Sequence, residues 1–181
     1  MKAILAVSAL ALVASHAGEA PKMANPMYTG WAAFKPGATV TFQSHETRDG
    51  KEVSSSETTS ILKSVDAEKV SVESLTRRPE AGKAPVEFKS LGNFAKSGFS
   101  PAGPNEGDRT EGDEVVEVAG RKVKCHWTQV KGKHPESAMV FKFWVSPEIP
   151  GGTVKSEMTV ESSKEGKTSV RKSTLLVTAF S

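Results

Sequence analysis

The sequence predicts a mainly β fold: a curved, up-and-down antiparallel sheet or open barrel of about eight strands with one short N-terminal helix. Three observations carry this. From Ala38 onward apolar and polar residues alternate with a period of two, as in Val123, Cys125 and Trp127 against Lys122, Lys124 and His126. Hairpin-length turn signals separate the runs, among them Arg48-Asp49-Gly50-Lys51, Ala119-Gly120 and Lys164-Glu165-Gly166-Lys167. No helical periodicity alternates with the strands, which excludes a parallel sheet. A Greek-key sandwich is the alternative arrangement.

Residues 1–17 read as a secretory signal peptide. Lys2 supplies a short positive region, and Ala3 to Ala14 is apolar except for Ser8. That run is too short to cross a bilayer core of about 30 Å. Ser15-His16-Ala17 fits a small-x-small cleavage site, and Gly18-Glu19-Ala20 is a second candidate. The expected location is therefore periplasmic or extracellular. Residues 18–37 form an N-terminal segment. Within it Asn25-Pro26 reads as a helix cap followed by Pro at the first helical position, and Met27, Trp31 and Phe34 share one helical face before Lys35-Pro36-Gly37 ends it. The plain role for this helix is packing on a sheet; the functional one is an aromatic clamp over a ligand.

Residues 38–181 read as a single antiparallel β domain. Val40 and Phe42 point one way on the first strand. The Asp49-Gly50 turn leads to a Ser/Thr-rich return strand ending near Lys63, and a third strand carries Val70 and Val72 in phase. Residues 77–112 hold nine Pro and Gly residues from Pro79 to Gly107, a density that predicts a long loop with at most an edge strand at Val86 to Phe88. Beyond it, Met139, Phe141, Phe143 and Val145 form an inward stripe with Trp144 on the opposite face. Val154, Met158 and Val160 form the next. In the last strand, adjacent Leu175 and Leu176 suggest a bulge or burial on both faces.

Composition narrows the functional classes. The formal charge of +3 comes from interspersed basic and acidic residues, a solvated surface and not a nucleic-acid footprint. Loss of residues 1–17 removes only Lys2 from that balance. The single Cys allows no internal disulfide, so the fold must stand on packing. No later apolar run is long enough for a membrane span. Cys125 and His126 are strand neighbours facing opposite sides and cannot share a metal. Cys125 reads as a small buried hydrophobe. No Gly-x-Ser-x-Gly elbow and no glycine-rich nucleotide loop occurs. The chain is read as non-enzymatic, with no cofactor.

The most distinctive segment is Trp144-Val145-Ser146-Pro147-Glu148-Ile149-Pro150-Gly151-Gly152. Its prolines end a strand, and its glycines permit a left-handed or close-packed backbone. It reads as a structural corner; the functional alternative is a ligand rim with Trp144 and Ile149 exposed. This corner, the strand after it from Thr153-Val154-Lys155, and Gly120-Arg121-Lys122-Val123-Lys124-Cys125 before it resemble exported bacterial proteins of unknown role. The region from about Asp113 to Phe180, with the Asn25 to Gly37 segment, is also similar to the periplasmic lipoprotein-carrier and lipoprotein-receptor superfamily. The resemblance implies an open, curved antiparallel barrel around an acyl chain beneath a helical lid. The expected function is binding of a lipid or lipoprotein acyl chain by Trp31, Phe34, Trp127, Phe141, Phe143 and Met158. A structural or protein-interaction module of the envelope, with a packed core, is the alternative.

Overall fold

The computed structural model describes residues 23–99, 108–134, 136–164 and 166–181. The expected leader with its cleavage candidates lies outside the described residues, as does the stretch 100–107 of the expected long loop. In chain order the elements are β1 (Met23–Ala24), α1 (Pro26–Ala32), β2 (Thr39–Arg48), β3 (Lys51–Val65), β4 (Lys69–Glu80), β5 (Lys83–Ala95), β6 (Ser97–Phe99), β7 (Asp108–Val118), β8 (Arg121–His134), β9 (Ser137–Val145), β10 (Thr153–Lys164) and β11 (Lys167–Phe180).

Nine of the strands form one antiparallel sheet in the order β5-β4-β3-β2-β11-β10-β9-β8-β7. Two meanders, β2 to β5 and β7 to β11, are zipped together by the pairing of β2 with β11. Because β5 and β7 do not pair, the sheet is open. Its two edges are defended by charge: β7 carries Asp108, Arg109, Glu111, Asp113, Glu114 and Glu117, and β5 carries Lys83, Glu87, Lys89 and Pro85. β1 and β6 make a separate two-stranded pair.

The turns obey local chemistry. Asp49 and Gly50 have φ of 52° and 78°, and Ala119 and Gly120 have 51° and 73°. Both turns therefore have two left-handed central residues, the geometry that matches the twist of a two-residue hairpin. At the β3–β4 turn the Asp66 carboxylate accepts the backbone N–H groups of Glu68 and Lys69 at 2.9 and 2.8 Å. Those bonds hold its carboxyl below the usual carboxylate range.

The expected loop over 77–112 is corrected by the structure. β4 runs on to Glu80, Ala81-Gly82 turns with Gly82 at φ 71°, and β5 returns as far as Ala95. Pro79 falls where the β4–β5 register slips, between Arg78 and Glu80, and Pro85 lies on the outermost strand. Neither has to supply a ladder N–H in a sheet interior. Gly92 is covered by the ring of its neighbour Phe94, an aromatic cover for a strand glycine.

The core gathers Trp31, Val40, Leu62, Val70, Val72, Val118, Val123, Cys125, Trp144, Ile149, Val154 and Val177. Helix α1 caps one face of β3, β4 and β5. Asn25 caps the helix by accepting the Met27 N–H at 3.0 Å, and the Tyr28 hydroxyl donates to the Asp66 and Ala67 carbonyls. The helix also meets the corner between β9 and β10. Gly151 N–H donates to the Gly30 carbonyl at 3.0 Å, and a Cβ on Gly30 would stand 2.6 Å from the Gly151 oxygen. Alanine is worth about 1 kcal/mol over glycine inside a helix, but this collision is with backbone on both sides. Gly30→Ala is therefore expected to destabilise the fold by about 2–3 kcal/mol, seen as a lower denaturation midpoint in urea. A stabilised Gly30→Ala protein would mean that the helix does not sit against the corner.

Candidate functional site

Alternation along each strand and register between strands decide what each face presents. Residues directly opposite one another share a face. One continuous row is Thr128, Phe143, Ser156, Leu175, Ser44 and Ser56; the next is Val130, Phe141, Met158, Ser173, Glu46 and Ser54. A third, toward α1, contains Val177, Phe42, Thr58, Thr76 and Phe88. All belong to the face that α1 partly covers, since Trp31 lines one cavity with Phe42 and Val72 there.

Under α1 lies a cavity of about 150 Å³. Met27, Trp31, Phe42, Val72, Gly92 and Phe94 line it, with Ser60, Ser74 and Ser90 along its floor. The Ser60 and Ser74 hydroxyls bond to one another at 2.8 Å, so Ser60 is satisfied although buried. Met27 stands at the rim, 38% exposed. Beyond the helix the same face continues as Phe143, Leu175, Phe141, Met158, Met139 and Val160, each half-buried. The Phe141 and Phe143 rings stack at 5.5 Å. Among the described residues these six are not among the apolar side chains packed on the buried core.

The opposite face is closed by its own contacts. Trp127 lies directly across from Trp144, and the Lys142 ammonium sits 4.2 and 4.4 Å from their ring centres. The Lys155 ammonium also lies 4.8 Å from the centre of the Trp144 ring. The Trp144 indole N–H donates to the Glu114 carboxylate, which also faces Lys142. The Trp127 ring covers Gly112 on the neighbouring strand. This ladder of cations and indoles gives each buried group a partner.

Of the six residues singled out from the sequence, the structure therefore brings three together. Phe141, Phe143 and Met158 share the open part of the helix-side face. Trp31 is on the same side but fully buried, 2% exposed, as the anchor of α1. Phe34 follows the helix and packs partly buried on the core. Trp127 is separated from them by the thickness of the sheet: its stripe with Val123 and Cys125 belongs to the Trp144 face. Alternation inside a strand does not say which stripe of the next strand lies beside it; register does. Phe42 and Leu175 were missed, and their period-two spacing with Val40 and Val177 was the available signal.

The corner after β9 is structural. Trp144 and Ile149 are 3% and 0% exposed, which overturns the alternative of an exposed ligand rim and leaves the structural corner. Ser146 N–H donates to the Gly152 carbonyl and Gly152 N–H to that of Ile149, and Gly151 and Gly152 have φ of 81° and 77°. Glycine is required at both because the backbone doubles back under Trp31.

Polar chemistry is sparse. His126 Nδ1 pairs with Asp113 at 3.0 Å on the exposed edge, and among the described residues no three His, Cys, Asp or Glu side chains converge as ligands would. The Cys125 thiol is buried and its Sγ donates to the Val123 carbonyl. Burial, then the nearby Glu114 and Glu148 carboxylates, push its pKa up. The thiol is therefore neutral through the ordinary thiol range. The stability tied to the neutral buried thiol is fully present below the unfolded-state pKa and is lost progressively as pH rises from there through the raised folded one. At neutral pH the folded protein should resist alkylation by iodoacetamide, whereas urea should expose the thiol at once. Rapid modification of the folded protein would contradict this burial.

Among the described residues no helix is long and apolar enough to cross a membrane. Compared with known proteins, the chain matches no family model, no curated protein and no solved structure.

Proposed function

We propose that this chain is an exported, non-enzymatic envelope protein that holds an apolar ligand, a lipid or lipoprotein acyl chain, on the helix-side face of its open sheet. One observation carries the reading: Phe141, Phe143, Met139, Met158, Val160 and Leu175 form a contiguous half-buried apolar surface leading toward the cavity under α1. Contiguous apolar surface on a soluble domain marks a contact site. The cavity alone is too small for useful affinity. A void of about 150 Å³ holds a benzene-sized ligand. Six carbons at about 0.8 kcal/mol each correspond to affinity in the millimolar range, before association costs. A long chain lying on the stripe with its end in the cavity gains several-fold more contact.

Native mass spectrometry of the protein purified from its own envelope, followed by organic extraction, tests this. A bound mass that extracts as lipid supports it. A clean unliganded mass that persists after challenge with long-chain amphiphiles sinks it.

A second reading, a protein-interaction module, is favoured by edge strand β5, where Phe88 and Leu91 are 51% and 62% exposed. Binding of a partner protein that disappears in a Phe88→Ser, Leu91→Ser variant, with no lipid detected, would place it first.

A further inference from the structure

The apolar stripe ends in cations. The cross-strand row next to Phe141 and Met158 runs Gly132, Met139, Val160, Arg171, Arg48, Lys51, each directly opposite the next. It therefore places two apolar side chains and then three cationic ones on a single face. Like charges directly opposite one another across strands are unfavourable. Glu46, in the neighbouring row, relieves only Arg171, at 2.6 Å. The Asp49 carboxylate in the adjoining turn is engaged by the Val170 N–H at 2.7 Å and the Ser169 hydroxyl at 3.2 Å. Glu52 pairs with Thr47 and so faces the other side of the sheet. Among the described residues, Arg48 and Lys51 form no ion pair, and both are exposed. A local arrangement that costs stability without an evident return points to a functional site.

We infer that Arg48, Lys51 and Arg171 form the head-group site for an anionic amphiphile whose single chain lies along the Val160–Met158–Leu175–Phe42 face with its end under α1. This rests on the apolar-ligand reading and adds the class of ligand. The dimensions agree. From the Val160–Arg171 row to the Val177–Phe42 row at the cavity is three two-residue steps along the strands, roughly 20 Å at about 3.4 Å per residue. That is the length of a long saturated chain. The head group defined by these residues is a carboxylate or phosphate at one end, recognised by guanidinium and ammonium donors that pair well with either.

The test compares palmitate, hexadecyl phosphate, hexadecanol and hexadecyltrimethylammonium binding to the purified protein by calorimetry, with inorganic phosphate as the chainless control. Both anions should bind tighter than the alcohol, and the ammonium weakest. In an Arg48→Gln, Lys51→Gln variant the anions should weaken by on the order of tenfold, since each exposed charge pair is worth up to about fivefold. The alcohol should be unchanged, which also shows that the variant is folded. If alcohol and anions bind equally to the native protein, the head-group site is overturned while the apolar reading survives. If inorganic phosphate binds as tightly as hexadecyl phosphate, the site is a plain anion site and the amphiphile form is overturned. If none of the four chains binds, both readings fall.

Discussion

Replacing Trp31 by alanine should lower stability by about 3–5 kcal/mol, the usual cost of deleting a fully buried large aromatic. The indole is 2% exposed, sits against the left-handed backbone of Gly151 and roofs the cavity on Phe42 and Val72. It is the buried residue of a seven-residue helix, and a helix that short does not persist in water without tertiary packing. Losing the ring should release α1 and expose the upper ends of β3 to β5. In a domain of this size each kcal/mol shifts the melting temperature by about 2–4 °C, so a fall of roughly 10 °C or more is expected by circular dichroism. A loss below about 1 kcal/mol would show that α1 is not anchored through Trp31.

Phe141 and Phe143 should behave in the opposite way. They are half-buried and stack on each other outside the core. Burying the remaining exposed part of each against a ligand chain is worth about 1 kcal/mol per ring. Phe141→Ser with Phe143→Ser should therefore weaken hexadecanol binding by roughly thirtyfold, with a much smaller loss of stability than the Trp31 change. Val115→Ser on the β7 edge, at a side chain already 60% exposed, serves as the control and should leave binding unchanged. If the double variant melts normally and still binds hexadecanol with native affinity, the stripe is not where the chain lies. The pair of experiments separates the two jobs assigned to the aromatic residues under the proposed function: anchoring α1 for Trp31 and contact with the ligand chain for the phenylalanines.

Much of the local structure was legible. Asn25-Pro26 marks the helix start because an Asn side chain satisfies an orphan N–H and Pro has none to lose. Asp49-Gly50 and Ala119-Gly120 mark tight hairpins because few residue pairs accept two successive left-handed conformations. The hairpin of β4 and β5 was not legible. Pro79, Gly82, Pro85 and Gly92 read as a loop, yet a register slip, a turn, an edge strand and a covering Phe94 ring accommodate them in turn. Each accommodation depends on a neighbour that composition cannot reveal.

The sequence by itself determined that the chain alternates as strands, where it turns outside the β4–β5 hairpin, that one helix precedes the sheet, and that Cys125 and Val123 lie on a common stripe. Period-two spacing and turn chemistry are properties of residues a few positions apart, so they are visible in the chain. Only the tertiary structure decided that Trp127 turns its back on Phe141, that β2 and β11 meet at the centre, and that the sheet stays open between β5 and β7. The same long-range pairing sets Arg171, Arg48 and Lys51 in one row with Val160. The physical reason is register. A strand's two faces are equivalent until a neighbour is hydrogen-bonded to it, and a slip of one residue, or one bulge such as that at Val177 and Ala179, exchanges them.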